Sequence, residues 1–351
     1  MTPGLPTSLE RITALRAFGY TEREAAFLLT AALHGGYFLR RQYCIAIGTQ
    51  SGGNAAALVD KLLTLKQASV VVGCNNTKLY HLCSRPFYAT FGEEDNRNRR
   101  ERPRFAIKNR LMGLDFVLGH SENTYLATER EKVDFFTSTL SIDRSLLPVK
   151  RFVSQQSKAT TDRHFVDKYP MFITPSADQE SPRASFCYVD EGVITGSRFG
   201  SYLRQYRALF LALAKFNLIY VSASDRLFQP AERDFRHFLA GLESTGNGAT
   251  AEDQEVRLVE YFRARALYES QHLDSFDRAR LIQLRNDRER FSGASFEALY
   301  NTWKIGGEAA ILQNPKALPP NRISVQATFS THVLKQDYDF FGSPPRASNG
   351  A

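Results

Sequence analysis

The chain has 351 residues, with 45 lysines and arginines against 37 aspartates and glutamates, and a hydrophobic fraction of 43%. At about 150 residues per domain there is room for two cores, and the net charge of +8 suits a polyanionic partner without specifying one. Cys44, Cys74, Cys83 and Cys187 contain no CxxC pair, which argues against a disulfide framework and for a reducing cytoplasm.

The opening MTPGLPTSLER has neither the basic nor the apolar region of a secretory signal. Residues 208–223, the most apolar run, are interrupted by Lys215 and Asn217 and are too short for a bilayer. A soluble cytoplasmic protein with no membrane partner is expected. Residues 1–8 contain Pro3 and Pro6 and are expected to fray; residues 8–18 predict a helix with Leu9, Ile12 and Leu15 on one side, stopped by Gly19. Thr21-Glu22-Arg23-Glu24 fits a capping box, in which hydroxyl and carboxylate satisfy free backbone donors at a helix start. The helix spans residues 22–34 and ends at Gly35-Gly36.

Residues 39–84 organise the first half. A short helix ends at Gly48, the polar turn TQSGGN follows, and a second helix starts near Asn54. In it Ala55, Leu58, Val59, Leu62 and Leu63 form an apolar face, with Asn54, Lys61 and Thr64 largely outside it. Residues 70–72 and 79–82 have strand-forming residues around a turn with Asn75 and Asn76 at its tip. Helix, turn, helix and hairpin after a capped helix is the element order of a winged helix-turn-helix. That reading points Thr49, Gln50, Ser51, Asn54 and Lys61 at double-stranded DNA, with Asn75, Asn76 and Lys78 on the wing. The alternative is a small helical subdomain whose hairpin covers its own core.

After a short apolar helix at residues 86–91 comes GEEDNRNRRERPRFAIKNR. Its Arg97, Arg99, Arg100 and Arg102 either contact phosphates or belong to a solvated linker pairing with Glu93, Glu94 and Asp95. The period is helical over 105–118, a strand is predicted at 124–127 and a helix at 129–140. Strands at 164–173, 184–189 and 216–222 alternate with helices at 199–214 and from Pro230 to Leu239, which predicts an α/β unit with a mixed sheet. A connector at 241–251 leads to helices at 252–310, with Val256, Val259, Phe262 and Leu267 expected inside the first. Beyond Gln313 an extended, partly disordered tail is expected, with a strand option at 325–329. The fold class is therefore α/β (α+β overall). Its domains are a winged helix-turn-helix at 1–95, a basic linker and helix at 96–122, the α/β domain at 123–240, a helical appendage at 252–312 and a tail at 313–351.

In the second half Tyr188-Val189-Asp190-Glu191-Gly192 is followed by a helix carrying Arg204, Gln205 and Tyr206. Here the chain resembles the replication-relaxation family of plasmid and mobile-element proteins, over residues 20–240 in element order. The family places a winged helix before a restriction-endonuclease-like domain whose central strand reads roughly Glu-x-Asp-x-Gly. The resemblance implies a DNA-binding protein of plasmid or mobile-element replication or mobilisation, or of transcriptional regulation. It implies double-stranded DNA as partner, with a homodimer or replication and mobilisation proteins beside it.

Nucleases of that fold hold Mg²⁺ with clustered carboxylates and position water with a Lys. In this chain Tyr188 takes the place of the acid and Asp190 that of the Lys, while Asp167 matches the first metal-binding Asp. A degenerate, non-catalytic site without metal or cofactor is expected. The alternatives are an Mg²⁺-dependent nuclease using Asp167 and Asp190 with Arg204 as the cation, and a protein-interaction adaptor whose winged unit binds no DNA. Cys44, Cys74, His81 and Cys83 lack the spacing of a zinc knuckle, and no GxxxxGK[ST], GxSxG or HExxH motif occurs.

Overall fold

The structure, a computed structural model, describes residues 8–153, 160–167, 169–174, 182–192, 197–213, 215–243, 251–272, 274, 276–291, 294–308 and 326–339. The expectations of fraying residues at the start, of most of the 241–251 connector, and of a tail over 313–325 and 340–351 lie outside the described residues.

Helix α1 (Ser8–Ala17) packs on α2 (Glu22–Leu33). The capping box opens α2: Thr21 Oγ accepts from the Glu24 amide at 3.3 Å, and Glu24 Oε2 accepts from the Thr21 amide at 2.9 Å. At its end Gly36 has φ of 79° and lies so close to residue 98 that a Cβ would stand 2.5 Å from the Asn98 carbonyl oxygen. Strand β1 (Tyr37–Phe38), α3 (Arg40–Ala46), α4 (Gly53–Thr64), β2 (Ala68–Val72) and β3 (Lys78–Leu82) follow. The three strands form an antiparallel sheet in the order β1-β3-β2. Ala55, Leu58, Val59 and Leu62 of α4 are buried with Phe27, Leu28, Phe38, Tyr43 and Tyr80 in one core, against which α5 (Arg85–Ala89) packs Phe87 and Tyr88.

Helix α6 (Arg104–Gly119) is the helix that the period over 105–118 predicts. Its Leu114 belongs to the first core, while Ile107, Leu111, Met112 and Phe116 sit in a second with Tyr37, Leu39 and Leu79 on one side and Phe172, Cys187 and Val189 on the other. A helix apolar on most of its surface has to be enclosed, and α6 is enclosed between the two sheets. Gln42 of α3, fully buried, ties it in: its Oε1 accepts from the Leu39 amide at 2.9 Å and its Nε2 donates to the Leu111 carbonyl at 2.9 Å.

The second half opens with β4 (Thr124–Tyr125) and α7 (Glu129–Asp134). An antiparallel ribbon, β5 (Val149–Val153) and β6 (Thr160–His164), comes next, and nothing in the sequence expectation marks it. Then follow β7 (Met171–Thr174), β8 (Arg183–Asp190), α8 (Ser197–Ala212), β9 (Lys215–Ser222) and α9 (Phe228–Glu243). The extended run expected over 164–173 is broken because Phe165 takes φ of 49°; Asp167 therefore lies in a bend before β7 and starts no strand.

The mixed sheet has the order β10-β9-β8-β7-β4, with β8, β9 and β10 parallel and the β7 and β4 pairings antiparallel. Side chains alternate across it: Phe186 and Tyr188 enter the core under α8 and α9, while Cys187 and Val189 enter the core under α6.

Helices α10 (Ala251–Glu269), α11 (Arg278–Arg290) and α12 (Ala294–Gly306) gather their own core from Leu258, Tyr261, Phe262, Phe291, Leu299 and Tyr300. Val256, expected inside, is 58% exposed, because the buried stripe of α10 runs through 258, 261 and 262. Strand β10 (Gln326–Val333) then returns to pair with β9, and Leu334 and Tyr338 beyond it are buried. The strand option at 325–329 is thus realised as β10, which extends the mixed sheet. Among the described residues no helix is long and apolar enough to cross a membrane.

Candidate nucleic-acid interface

The turn between α3 and α4 presents Gln50, Ser51 and Asn54 to solvent, with Thr49 half-buried and its Oγ accepting from the Ser51 amide at 3.2 Å. No side chain caps α4, whose N-cap residue is Gly52, so its first backbone donors face outward, the arrangement that attracts anions. Asn54 borders a groove of about 900 Å³ between α2, α3 and α4, to which Glu22, Arg23 and Tyr43 also contribute. At the hairpin tip Asn75 and Asn76 hold φ of 54° and 55°, and both are exposed together with Lys78; Asn tolerates that left-handed conformation better than most residues.

Lys61 has partners within the protein. Its Nζ donates to the Gly19 carbonyl at 2.6 Å and to Glu24 Oε2 at 3.1 Å, and stands 4.5 Å from the Tyr20 ring centroid. The side chain lies on the flank of α4 turned to the α1–α2 corner, where the capping carboxylate of α2 offers an anion. The solvent face left to α4 is Asn54, Ala57, Asp60 and Thr64, which carries no cation.

The basic run is a fixed turn. Asn98, fully buried, donates through Nδ2 to the Ala32 and Leu33 carbonyls, both at 2.9 Å, and so closes the end of α2. Its own carbonyl lies 2.9 Å from His81 Nε2, and its Oδ1 accepts from Arg110 Nη1 at 3.0 Å. Arg110 is buried, also donates to the Gly35 carbonyl at 2.6 Å, and has its pKa lowered to about 10 chiefly by that burial. His81 stacks on Tyr37 at 4.1 Å, and burial lowers its pKa.

Around this anchor Arg100 is exposed, and Arg97, Arg99 and Arg102 are half-buried. Arg102 Nη2 donates to the Arg97 carbonyl at 3.0 Å. Among the described residues the Nε atoms of Arg97, Arg99 and Arg102 are buried without an acceptor, and Asp95 pairs with Arg85. His81 lies three residues along β3 from Lys78, roughly 10 Å in an extended strand.

Asp190 and Arg204 each have partners close by in the chain or the sheet. Asp190 is buried: its Oδ1 accepts from the Gly192 amide at 2.9 Å and its Oδ2 from the Tyr220 hydroxyl. Glu191, next along, turns the other way to Arg198 and to Asn109 Nδ2, the latter at 3.4 Å. Arg204 is exposed and donates to Ser201 Oγ at 3.0 Å, because Tyr202, Leu203, Tyr206 and Phe210 form the stripe of α8 that packs on the sheet. Tyr188 lies among Phe199, Tyr202 and Tyr220.

Burial raises the Asp167 carboxyl against the opposing pull of Lys132 and Lys150, and its Oδ2 has no partner. Lys132, which the sequence does not mark, is buried with its pKa lowered to about 8 by desolvation. Among the described residues no three His, Cys, Asp or Glu side chains come together as metal ligands. Mg²⁺ requires near-octahedral oxygen ligation, and both carboxylate oxygens of Asp190 are engaged within the protein. Cys44, Cys74, Cys83 and Cys187 are free thiols.

No family model matches the chain, and neither a curated protein nor a solved structure does.

Proposed function

We propose that this chain binds double-stranded DNA through a helix-turn-helix and hairpin of the winged-helix kind, and that the mixed-sheet half serves as its scaffold. The observation that carries the reading is the disposition of α3, α4 and the β2–β3 hairpin. Every large apolar side chain of α4 up to Leu62 is spent on the core, while the uncapped start of α4 and the Asn75-Asn76 tip stand in solvent with Gln50, Ser51 and Asn54. A helix held rigidly from behind and polar at its exposed start is what major-groove reading requires. The resemblance to the replication-relaxation family supports the same partner and a role in replication or mobilisation.

Titrating the full chain into a fluorescein-labelled duplex of arbitrary sequence and following anisotropy at several salt concentrations tests the reading. Binding that weakens with salt, and that weakens further in Gln50→Ala/Asn54→Ala with the melting temperature unchanged, is the expected outcome. Absence of duplex binding at low salt refutes it.

A further inference from the structure

The exposed face of α4 has no cation, yet the phosphate backbone supplies most of the affinity in protein–DNA association. The cations stand elsewhere. On one face of the β5–β6 ribbon Lys150 lies opposite Arg163, and Phe152 opposite Thr161. The Arg97 guanidinium sits 5.0 Å from the Phe152 ring centroid, and Lys150 Nζ 5.7 Å from the same centroid. Two cations thus sit at one ring, with Arg163 and Arg100 near enough to act on Arg97.

The carboxylates that face them are Glu129, 3.5 Å from Arg163, and Asp167, which acts on Lys150. Arg151 points to the other face and is taken by Asp162 at 2.8 and 2.9 Å. Arg97 loses proton affinity first to burial and then to Arg163 and Arg100. Among the described residues the Nε–H groups of Arg97, Arg99 and Arg102 are buried without an acceptor. Charges that repel one another are relieved by an anion with several oxygens, and the planar guanidinium fork suits phosphate.

We propose that the turn at residues 97–102 and the face of the ribbon carrying Lys150, Phe152 and Arg163 form a clamp for the phosphate chain of a nucleic acid. The clamp is independent of base sequence and separate from α4. It rests on the DNA-binding reading for its natural ligand, although its chemistry is that of phosphate alone.

The test uses the full chain and the variant Arg99→Gln/Arg100→Gln/Lys150→Gln, which leaves the Arg97–Phe152 contact in place, with melting curves to show that both fold. Duplex anisotropy is measured against salt, and linear inorganic polyphosphate serves as a ligand without bases or grooves. The slope of log K against log salt is expected to fall by about 3 in the variant, and polyphosphate binding is expected to weaken at least tenfold. An unchanged slope together with unchanged polyphosphate binding overturns the clamp, even if Asn54 substitutions still weaken duplex binding. Polyphosphate binding that the variant loses, in a protein that binds no duplex, keeps the clamp and removes the role of α4. An equal loss of binding to polyglutamate overturns the assignment to phosphate.

Discussion

Replacing Asp115 by Asn tests how the C-terminal strand is held. The Asp115 side chain is 5% exposed and receives both Arg41 terminal nitrogens at 2.7 Å and the Tyr338 hydroxyl at 2.5 Å. One buried carboxylate on α6 thus joins α3 to the segment after β10. Breaking a buried ion pair costs about 3–5 kcal/mol, and Arg41, 30% exposed, regains some water, so about 3 kcal/mol is expected here.

That energy corresponds to roughly a hundredfold change in an opening equilibrium. Native-state hydrogen exchange reads it directly: the β10 amides and the Leu334 amide, bonded to the Ser222 carbonyl at 2.8 Å, should exchange about a hundredfold faster in Asp115→Asn. Tyr338→Phe, losing a hydrogen bond to a charged acceptor worth about 1.5–3 kcal/mol, should accelerate the same amides at least tenfold. Accelerated exchange in α3 and α6 with β10 unchanged would refute the idea that this carboxylate holds the strand.

Lys61→Ala should leave duplex affinity within twofold and lower the urea midpoint by the equivalent of about 1 kcal/mol, since Lys61 serves the α1–α2 corner; a large affinity loss would return it to the interface. Gly36→Ala places a Cβ at positive φ against the Asn98 carbonyl and should cost about 2–4 kcal/mol by equilibrium unfolding. In the α10–α12 unit burial alone would raise the Glu269 carboxyl, but hydrogen bonds from Lys304, Arg265 and Tyr300 outweigh it and hold the pKa at about 2. A depressed carboxyl stabilises above its unfolded value of 4.5 and loses that contribution as pH falls through 2. The fluorescence of Trp303, packed in that core, should therefore report loosening over this window, and Glu269→Gln should remove it.

What the sequence makes legible is what neighbouring residues decide. The Thr21–Glu24 box, the apolar stripe of α4 and the β8–α8–β9 succession depend on spacings of a few residues and emerge as expected. The fate of Lys61 depends on Glu24 and Gly19, far back in the chain, so helical periodicity assigns it to a polar face without showing that the face is occupied. The basic run looks like a linker by composition because Asn98 among its arginines gives no sign that it closes α2. The ribbon escapes notice because β5 carries Lys150 and Arg151 between its valines. Tyr338 meets Asp115 across 223 residues, a separation that no local pattern encodes.

The place of β10 bears on how the protein is made. Gln326 pairs with Lys215 and Thr328 with Asn217, 111 residues earlier. At a ribosomal pace of about 5–20 residues per second, the outer edge of β9 waits roughly 5–20 s for its partner while helices α9 to α12 are synthesised. An unpaired edge strand is a template for association with other chains, and β9 with Phe216, Leu218 and Tyr220 is an adhesive one. A chain cut after α12 would keep that edge open permanently, and should collect in inclusion bodies where the full chain remains in solution.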